Sequence, residues 1–415
     1  MSIPMLKVVS EFCADPGELL DFAHRQKPLV WLRGNRQAVG IGEALRLTAS
    51  GPARFTVLRE KWQEIAAAAA VTDEVHLPGS GLVAFGAFAF ADDSAAQSSL
   101  VVPEITLHQH DNQWFVTRVT VASAHCATAL PDFSARPTTP AGEWDPVALN
   151  PHPDLAARTS YLKKAHQVLE TLAAGGAEKV VLARQISAPI HPNADLRVPL
   201  RRLAQRFPDC WTFAFDGFLG ATPETLARVV RGRMSALVLA GTTPRAADSA
   251  ADALRRHHLL ASDSLAREHE YAAASVVEAV SDLVTKLQVT APQVVQLPNV
   301  WHLATAISAH TTADVSALDL TAAMHPTAAV AGTPTSAAKN VIAAVEGFDR
   351  RFYAGAIGWL DASGDGEWAL ALRCAEVRDG VVTATAGGGF VAGSDPVREL
   401  DETVAKFAPI VDAFK

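Results

Sequence analysis

Several stretches of the chain hold ionisable side chains where a plain solvated surface is a strained explanation. In "RELDET", Glu399 and Glu402 stand at i and i+3. On one helix face such like charges repel unless a cation lies between them or both reach water. Glu268 lies in the middle of a long helical pattern beside His269. Carboxylates without cysteine suit Mg²⁺, a hard cation that keeps several waters and is often shared with an anionic substrate; the competing reading is a solvated helix face. In "GATPETLARV", Glu224 follows a Thr-Pro at the end of an apolar run, which equally describes a helix start with proline at its first position. In "WALALRCAEV", Arg373 interrupts an apolar strand pattern. An inward arginine needs an anion, either a substrate carboxylate or a structural ion pair. In "GGAEKVVLARQI", Lys179 sits at the mouth of an apolar run, either snorkelling to water or placed where water is scarce.

Two further patterns fail on spacing. "GGGFVA" matches a dinucleotide fingerprint only loosely, because Gly393-Ser394-Asp395-Pro396 separates it from the next helix. Its glycines still permit close backbone approach to an anion. "EHEYAA" lacks the second histidine of a zinc protease, since position 273 is alanine.

The elements that must position these groups come in runs. Strands are expected at "GLVAFGAFAF", "QWFVTRVTVAS", "KVVLARQISAPI", "CWTFAFDGFLGAT", "RMSALVLAGTT" and "VVQLPNVWHLATAISAHTT". The C-terminal strands include a hairpin at "RDG". Helices are expected at "EALRLTAS", "REKWQEIAAAAAV", 154–174, "DLRVPLRRLAQRF", 248–287, 317–324 and 336–350, with a capped helix opening at Asp395-Pro396. Strands grouped between long helices, without strict alternation, predict an α+β fold of mainly antiparallel sheets. A proline-rich stretch over residues 130–160 reads as a long surface connection.

Composition narrows the classes. With 415 residues, 49% hydrophobic, the chain can build a large core. A net charge of −8 with no basic block argues against nucleic acid. Four scattered cysteines without a CxxC pair suit a reducing cytoplasm. No apolar run is long enough to cross a bilayer, and no signal peptide is expected.

In order, "EKVVLAR", "GATPETL", "LAGTTPR", "REHE", "VWHLAT", "HPTAAVAGTP", "FYAGAIGWLD", "ALRCAEV" and "AGGGFVAGSDPVRELDETVAK" resemble the chorismate-utilising enzymes. That family includes isochorismate synthase, salicylate synthase and the large subunit of anthranilate synthase. "FGAFAF" resembles their N-terminal half. The resemblance implies a single large domain over 1–415 of stacked antiparallel sheets flanked by helices. Its N-terminal half would be 1–150 and its chorismate-binding catalytic half 151–415, with the proline-rich stretch a loop inside it.

The resemblance also implies roles. Lys179 matches a general base acting on water, and Glu224 the general acid for the departing hydroxyl. Glu268 and Glu399 match Mg²⁺ ligands, with Glu402 beside them, directly or through water. Arg373 and Lys406 match cations that hold substrate carboxylates, and Gly387, Gly388 and Gly389 a turn supporting them. Gly241, Thr242, His302 and Tyr353 match substrate-contacting positions. Ala329 stands where isochorismate synthases carry alanine and their relatives threonine. Lysine at 179, where ammonia-using members carry glutamine, points the same way.

Two departures stand out: Leu265 replaces a common acid near the metal, and Ala246 a glycine. The implied enzyme is a cytoplasmic, monomeric, Mg²⁺-dependent isochorismate synthase, feeding menaquinone or catecholate siderophore synthesis. Salicylate synthase and an anthranilate synthase-type subunit are the alternatives. The implied acid must be buried, because an ordinary glutamate near ~4.3 is ionised at neutral pH.

Overall fold

The structure is a computed structural model of the 415-residue chain. It describes residues 4–121, 144–246, 248–296 and 300–415, apart from the side chains of Thr242, Ser264, Glu268 and Val300.

Two large sheets face each other. The first has twelve strands. From one edge they run Gly332–Thr333, Lys179–Pro189, Val381–Val391, Cys374–Arg378, Phe218–Thr222 and Trp211–Phe215. The order continues through Leu29–Arg33, Arg36–Ile41, Ile105–His110, Gln113–Val121 and Leu6–Phe12 to Ala70–Asp73. The second has ten. Its path is Val284–Val289, Val300–Thr311, Arg233–Pro244, Thr225–Val230, Gly366–Leu370, Ala356–Asp361, Val83–Phe88, Ser98–Val102 and Leu45–Ala49, with Gln293–Gln296 added on Val300–Thr311. Leu6–Phe12 pairs parallel with Ala70–Asp73, whereas the strands around the site pair antiparallel. This is the mainly antiparallel α+β fold that the grouped strands predict, with the stacked sheets that the resemblance implies.

Apolar side chains from both sheets interlock between them. Trp31 stacks on Trp211 at 4.7 Å, and Phe55 on Phe88 at 4.1 Å, with Trp368 edge-on to Phe88. Such buried aromatics contribute to the apolar burial that holds the layers together. A second core lies on the outer face of the twelve-stranded sheet. There Leu200 and Leu203 of the helix Arg197–Arg206 meet Phe407, Ile410 and Phe414 of the C-terminal helix Pro396–Phe414. That helix opens as its sequence predicts, with the Asp395 side chain accepting from Val397 N at 2.9 Å and Pro396 in its first turn.

Local sequence reading succeeds where short-range chemistry dominates. Arg378-Asp379-Gly380 closes a hairpin with positive φ at Asp379 (52°) and Gly380 (76°), the conformation of a primed two-residue turn. It fails elsewhere. "EALRLTAS" contains a strand, Leu45–Ala49, whose alternating leucines pair with Ser98–Val102. The expected helix over 248–287 is two helices, Ser249–Ala261 and Asp263–Val280, followed by the strand Val284–Val289. Ser262 divides the helices, its hydroxyl accepting from Leu265 N. The helix expected to reach 350 stops at Val345. Of the proline-rich stretch, 130–143 lies outside the described residues, 144–154 has no regular structure, and a helix begins at Leu155.

Gly358 shows how tightly the second sheet is built: a Cβ there would lie 2.0 Å from Glu367 O and 2.8 Å from Trp368 Cα, both backbone atoms that cannot swing aside. Gly358→Ala is therefore expected to destabilise the fold by about 1–3 kcal/mol, read as a lower urea midpoint with an unchanged slope.

Candidate active site

Two of the chain's crossings from one sheet to the other lie side by side, and each of these two carries a site residue. Phe218–Thr222 belongs to the twelve-stranded sheet and Thr225–Val230 to the other, with Glu224 at the joint. Gly366–Leu370 belongs to the ten-stranded sheet and Cys374–Arg378 to the first, with Arg373 at that joint. The crossings are tied together: Leu370 N donates to Glu224 O at 3.0 Å, and Ala221 N to Arg373 O at 3.2 Å. Neither residue is where its local sequence suggests. Glu224 starts no helix, because a strand follows it. Arg373 is not inside a strand but in a left-handed bend, φ 48°, that ends one strand run and re-aims the chain.

Burial governs the acid. It pushes the Glu224 carboxyl up to about 7, against the opposing pull of Arg373 and Lys179. Burial also pushes the His302 imidazole down to about 4, and Arg373 adds to that, so the ring is neutral at physiological pH. His302 lies on Val300–Thr311, paired with Thr242 beyond a bulge at Gly241. Gly241 has φ +71°, and a Cβ there would lie 3.0 Å from Leu265 O. Leu265 thus packs on the bulge with its backbone. Ala329 lines the same pocket as Glu224, together with Leu226, Val238, Met324 and Thr327.

Lys179 opens the strand Lys179–Pro189, held between Thr333 on one side and Val391 on the other. Gly332 makes the first contact possible, since a Cβ there would fall 2.1 Å from Lys179 O. On the other side the run of glycines leaves space that side chains occupy. A Cβ on Gly389 would meet Lys179 Cε at 3.3 Å, and one on Gly388 would meet Glu399 Oε2 at 2.9 Å. One on Gly387 would meet the Tyr353 hydroxyl at 3.1 Å. Burial raises that hydroxyl to about 12, so it stays a neutral donor. Lys406 on the C-terminal helix donates to Gly387 O at 2.9 Å and lies 3.7 Å from Glu402. Burial lowers its ammonium, Arg373 and Lys179 add to this, and Glu402 and Glu399 oppose it.

Lys179, Glu224, His302, Tyr353, Arg373, the three glycines, Glu399 and Lys406 therefore share one neighbourhood. Glu402 is only at its rim, with 45% of its side chain exposed and ion pairs to Lys406 and Arg398. Glu268 lies on Asp263–Val280, a helix anchored by buried His269, whose ring bonds Ala240 O at 3.2 Å and Thr305 Oγ1 at 2.7 Å. The side chains of Glu268 and Thr242 lie outside the described residues. No group of three metal-ligating side chains is assembled among the described residues. Glu399 offers a half-buried carboxylate packed on Gly388, an oxygen donor of the kind that fits a hard cation rather than zinc.

Some polar groups near the site escape a sequence reading. Thr327 Oγ1 and Tyr161 Oη are buried without hydrogen-bond partners, and Tyr161 gives no local signal because it sits among helix core positions. Glu346 and Arg350 form a buried ion pair at i and i+4. The spacing is visible in "EGFDR", yet nothing local says that the pair is inside the protein.

The sequence matches the chorismate binding enzyme family over residues 10–415. It is 37% identical over 266 residues to isochorismate synthase DhbC of Bacillus subtilis, covering 61% of this chain and 67% of that protein. It is 30% identical over 431 aligned residues to the salicylate biosynthesis isochorismate synthase of Pseudomonas aeruginosa, covering 98% of this chain and 90% of that one. Its backbone is similar to that of MenF, the menaquinone-specific isochorismate synthase from Escherichia coli, with a TM-score of 0.78 and 23% identity over 99% of this chain and 95% of that one. With the motifs, the two-sheet fold and a whole-length family match in agreement, the chain belongs to the chorismate binding enzyme family.

Proposed function

We propose that this protein is an isochorismate synthase that converts chorismate to isochorismate with Mg²⁺, in the cytoplasm, as a monomer, supplying menaquinone or a catecholate siderophore. The observation that carries the reading is the buried carboxyl of Glu224, raised to about 7 and facing a field that includes Lys179 and Arg373. The full-length relative named as an isochorismate synthase supports it.

In this reading water adds to ring carbon 2 while the hydroxyl on carbon 4 departs, and the ring double bonds shift between them. Lys179 accepts a proton from the attacking water. Glu224, neutral through burial, gives a proton to the departing hydroxyl, which leaves as water. One water enters and one leaves, so the net change is an isomerisation. Arg373 and Lys406 hold the substrate carboxylates by charge-assisted bonds. His302 and Tyr353, both neutral, add directional hydrogen bonds, and Gly241, Thr242 and Gly387–Gly389 give the ring close access to backbone. Glu399 and Glu268 would hold Mg²⁺, with Glu402 further out. Bound there, the metal supplies charge neutralisation and orientation for the ring carboxylate.

Ala329 beside Glu224 leaves room where a threonine would add a hydroxyl and a methyl. That favours release of isochorismate over further elimination. Salicylate and pyruvate from the purified protein alone would favour a salicylate synthase, and ammonia-dependent anthranilate the third alternative.

Lys179→Ala and Glu224→Gln are each expected to lower kcat by about 10²–10⁴-fold, with Glu224→Gln still binding chorismate in a calorimetric titration. Near-parental turnover in either variant refutes that residue's role. The raised Glu224 carboxyl also sets a pH dependence. The acid form is lost as pH rises through about 7, so kcat falls on that limb. The stability that comes with a neutral carboxyl is present below its ordinary value of 4.5 and lost as pH rises through about 7. The urea midpoint of Glu224→Gln should therefore rise relative to the parent between those two pH values.

A further inference from the structure

Among the described residues, Lys179–Pro189 has a full strand neighbour on one edge and a short one on the other. On the first edge Val381–Val391 pairs with all of it; on the second, Gly332–Thr333 pairs only with Lys179 and Val180. Val181 N still reaches Ala331 O at 2.9 Å, and there the backbone neighbour ends. The next groups on this edge are met by side chains. Arg350 Nη2 donates to Val181 O at 2.7 Å, and Ala183 N donates to Glu346 Oε1 at 2.7 Å. The two side chains bind each other, Arg350 Nε donating to Glu346 Oε2 at 2.8 Å, and each is only 1% exposed.

The same guanidinium reaches two other parts of the site. Arg350 Nη1 donates to Val330 O at 2.8 Å, next to Ala329. Its plane lies over Phe90 at 4.4 Å and Tyr353 at 5.7 Å, and Tyr353 runs beneath Gly387. One rigid fork thus joins the strand that begins with Lys179, the loop that carries Ala329, and the ring beneath the glycines.

We propose that the Glu346–Arg350 pair is a positioning device for the reaction, standing in for a missing strand so that Lys179 and Ala329 are held at a set separation. The proposal rests on the isochorismate synthase reading. Stability alone is a poor account of the pair, because the cost of desolvating two buried charges is often as large as their attraction. Geometry is the better account. A guanidinium presents donors in a fixed planar fork, and misplacing reacting groups by about 1 Å can cost 10²-fold in rate. Neither residue touches the reacting atoms, so both act through Lys179 and the Ala329 loop.

The test is steady-state kinetics on chorismate for Arg350→Lys and Glu346→Gln, at a temperature where circular dichroism shows each variant folded. Lysine keeps the charge but loses the fork; glutamine, with its oxygen in the Oε1 position, keeps the acceptor shared by Ala183 N and Arg350 Nη2 but sets an amide N–H against Arg350 Nε and removes the negative charge. The expected result is a fall in kcat of about 10–100-fold for Arg350→Lys and at least about threefold for Glu346→Gln. KM should stay within about threefold of the parent, and in Arg350→Ala millimolar guanidinium should restore kcat where sodium does not. Parental kcat in a folded variant, or a loss that only tracks the unfolded fraction, overturns the proposal. If the arginine variants do not fold, the milder Glu346→Gln decides alone. A parent protein inactive on chorismate would instead refute the isochorismate reading, and the two failures are told apart by that control.

Discussion

The site depends on one topological constraint: the chain is shared between two sheets, so the backbone must pass between them, and two of its short crossings lie side by side. The Leu370 N to Glu224 O bond, 3.0 Å long, locks the crossings side by side. Each joint is short, so its residue is held by strands on both sides while its side chain faces the seam. A carboxyl and a guanidinium are thereby forced into one poorly solvated region. Coulomb attraction alone would lower the Glu224 carboxyl; burial outweighs it and raises the group to about 7. A carboxylic acid able to give up a proton near neutral pH thus follows from the architecture.

The second dependence is on missing side chains. Val381–Val391 passes through the site with three successive glycines, and the vacated space is filled by functional groups from elsewhere. Lys179 lies over Gly389, Glu399 against Gly388 and the Tyr353 hydroxyl by Gly387, while Lys406 takes the Gly387 carbonyl. A β-carbon at Gly388 would contact the Glu399 carboxylate at 2.9 Å, displacing it or the strand. Close packing of this kind makes the positions of Lys179, Glu399, Tyr353 and Lys406 interdependent, and the Glu346–Arg350 pair extends that interdependence to the opposite edge of the lysine strand.

Much of this was legible in the chain before any geometry. The family motifs lie in order, the cap at Asp395 and the turn at Asp379-Gly380 are short-range signals, and the apolar runs at Val180 and Phe213 have strand character. The misreadings share a physical cause. Leu45–Ala49 is a strand because Ser98–Val102 lies beside it, although its sequence allows a helix. Glu224 looks like a helix start because Pro followed by Glu satisfies first-turn preferences whether or not a helix follows. Arg373 looks like part of a strand because apolar alternation continues through a bend set by neighbouring backbone. In each case distant partners decided between conformations that local preference left nearly equal.

The sequence by itself determined which side chains are present, their order, and hence the family and the chemistry available: two lysines, an arginine, several carboxylates and a glycine run. Such identities are local and survive without coordinates. The tertiary structure alone decided that the Glu224 carboxyl is raised to about 7, that His302 is neutral, and that Glu402 stands at the rim while Glu399 packs inside. It also made Arg350 and Glu346 neighbours of the lysine strand. These properties depend on how much water the fold removes and which charges it brings close. Both are set by segments separated by scores of residues, so no window of sequence contains them.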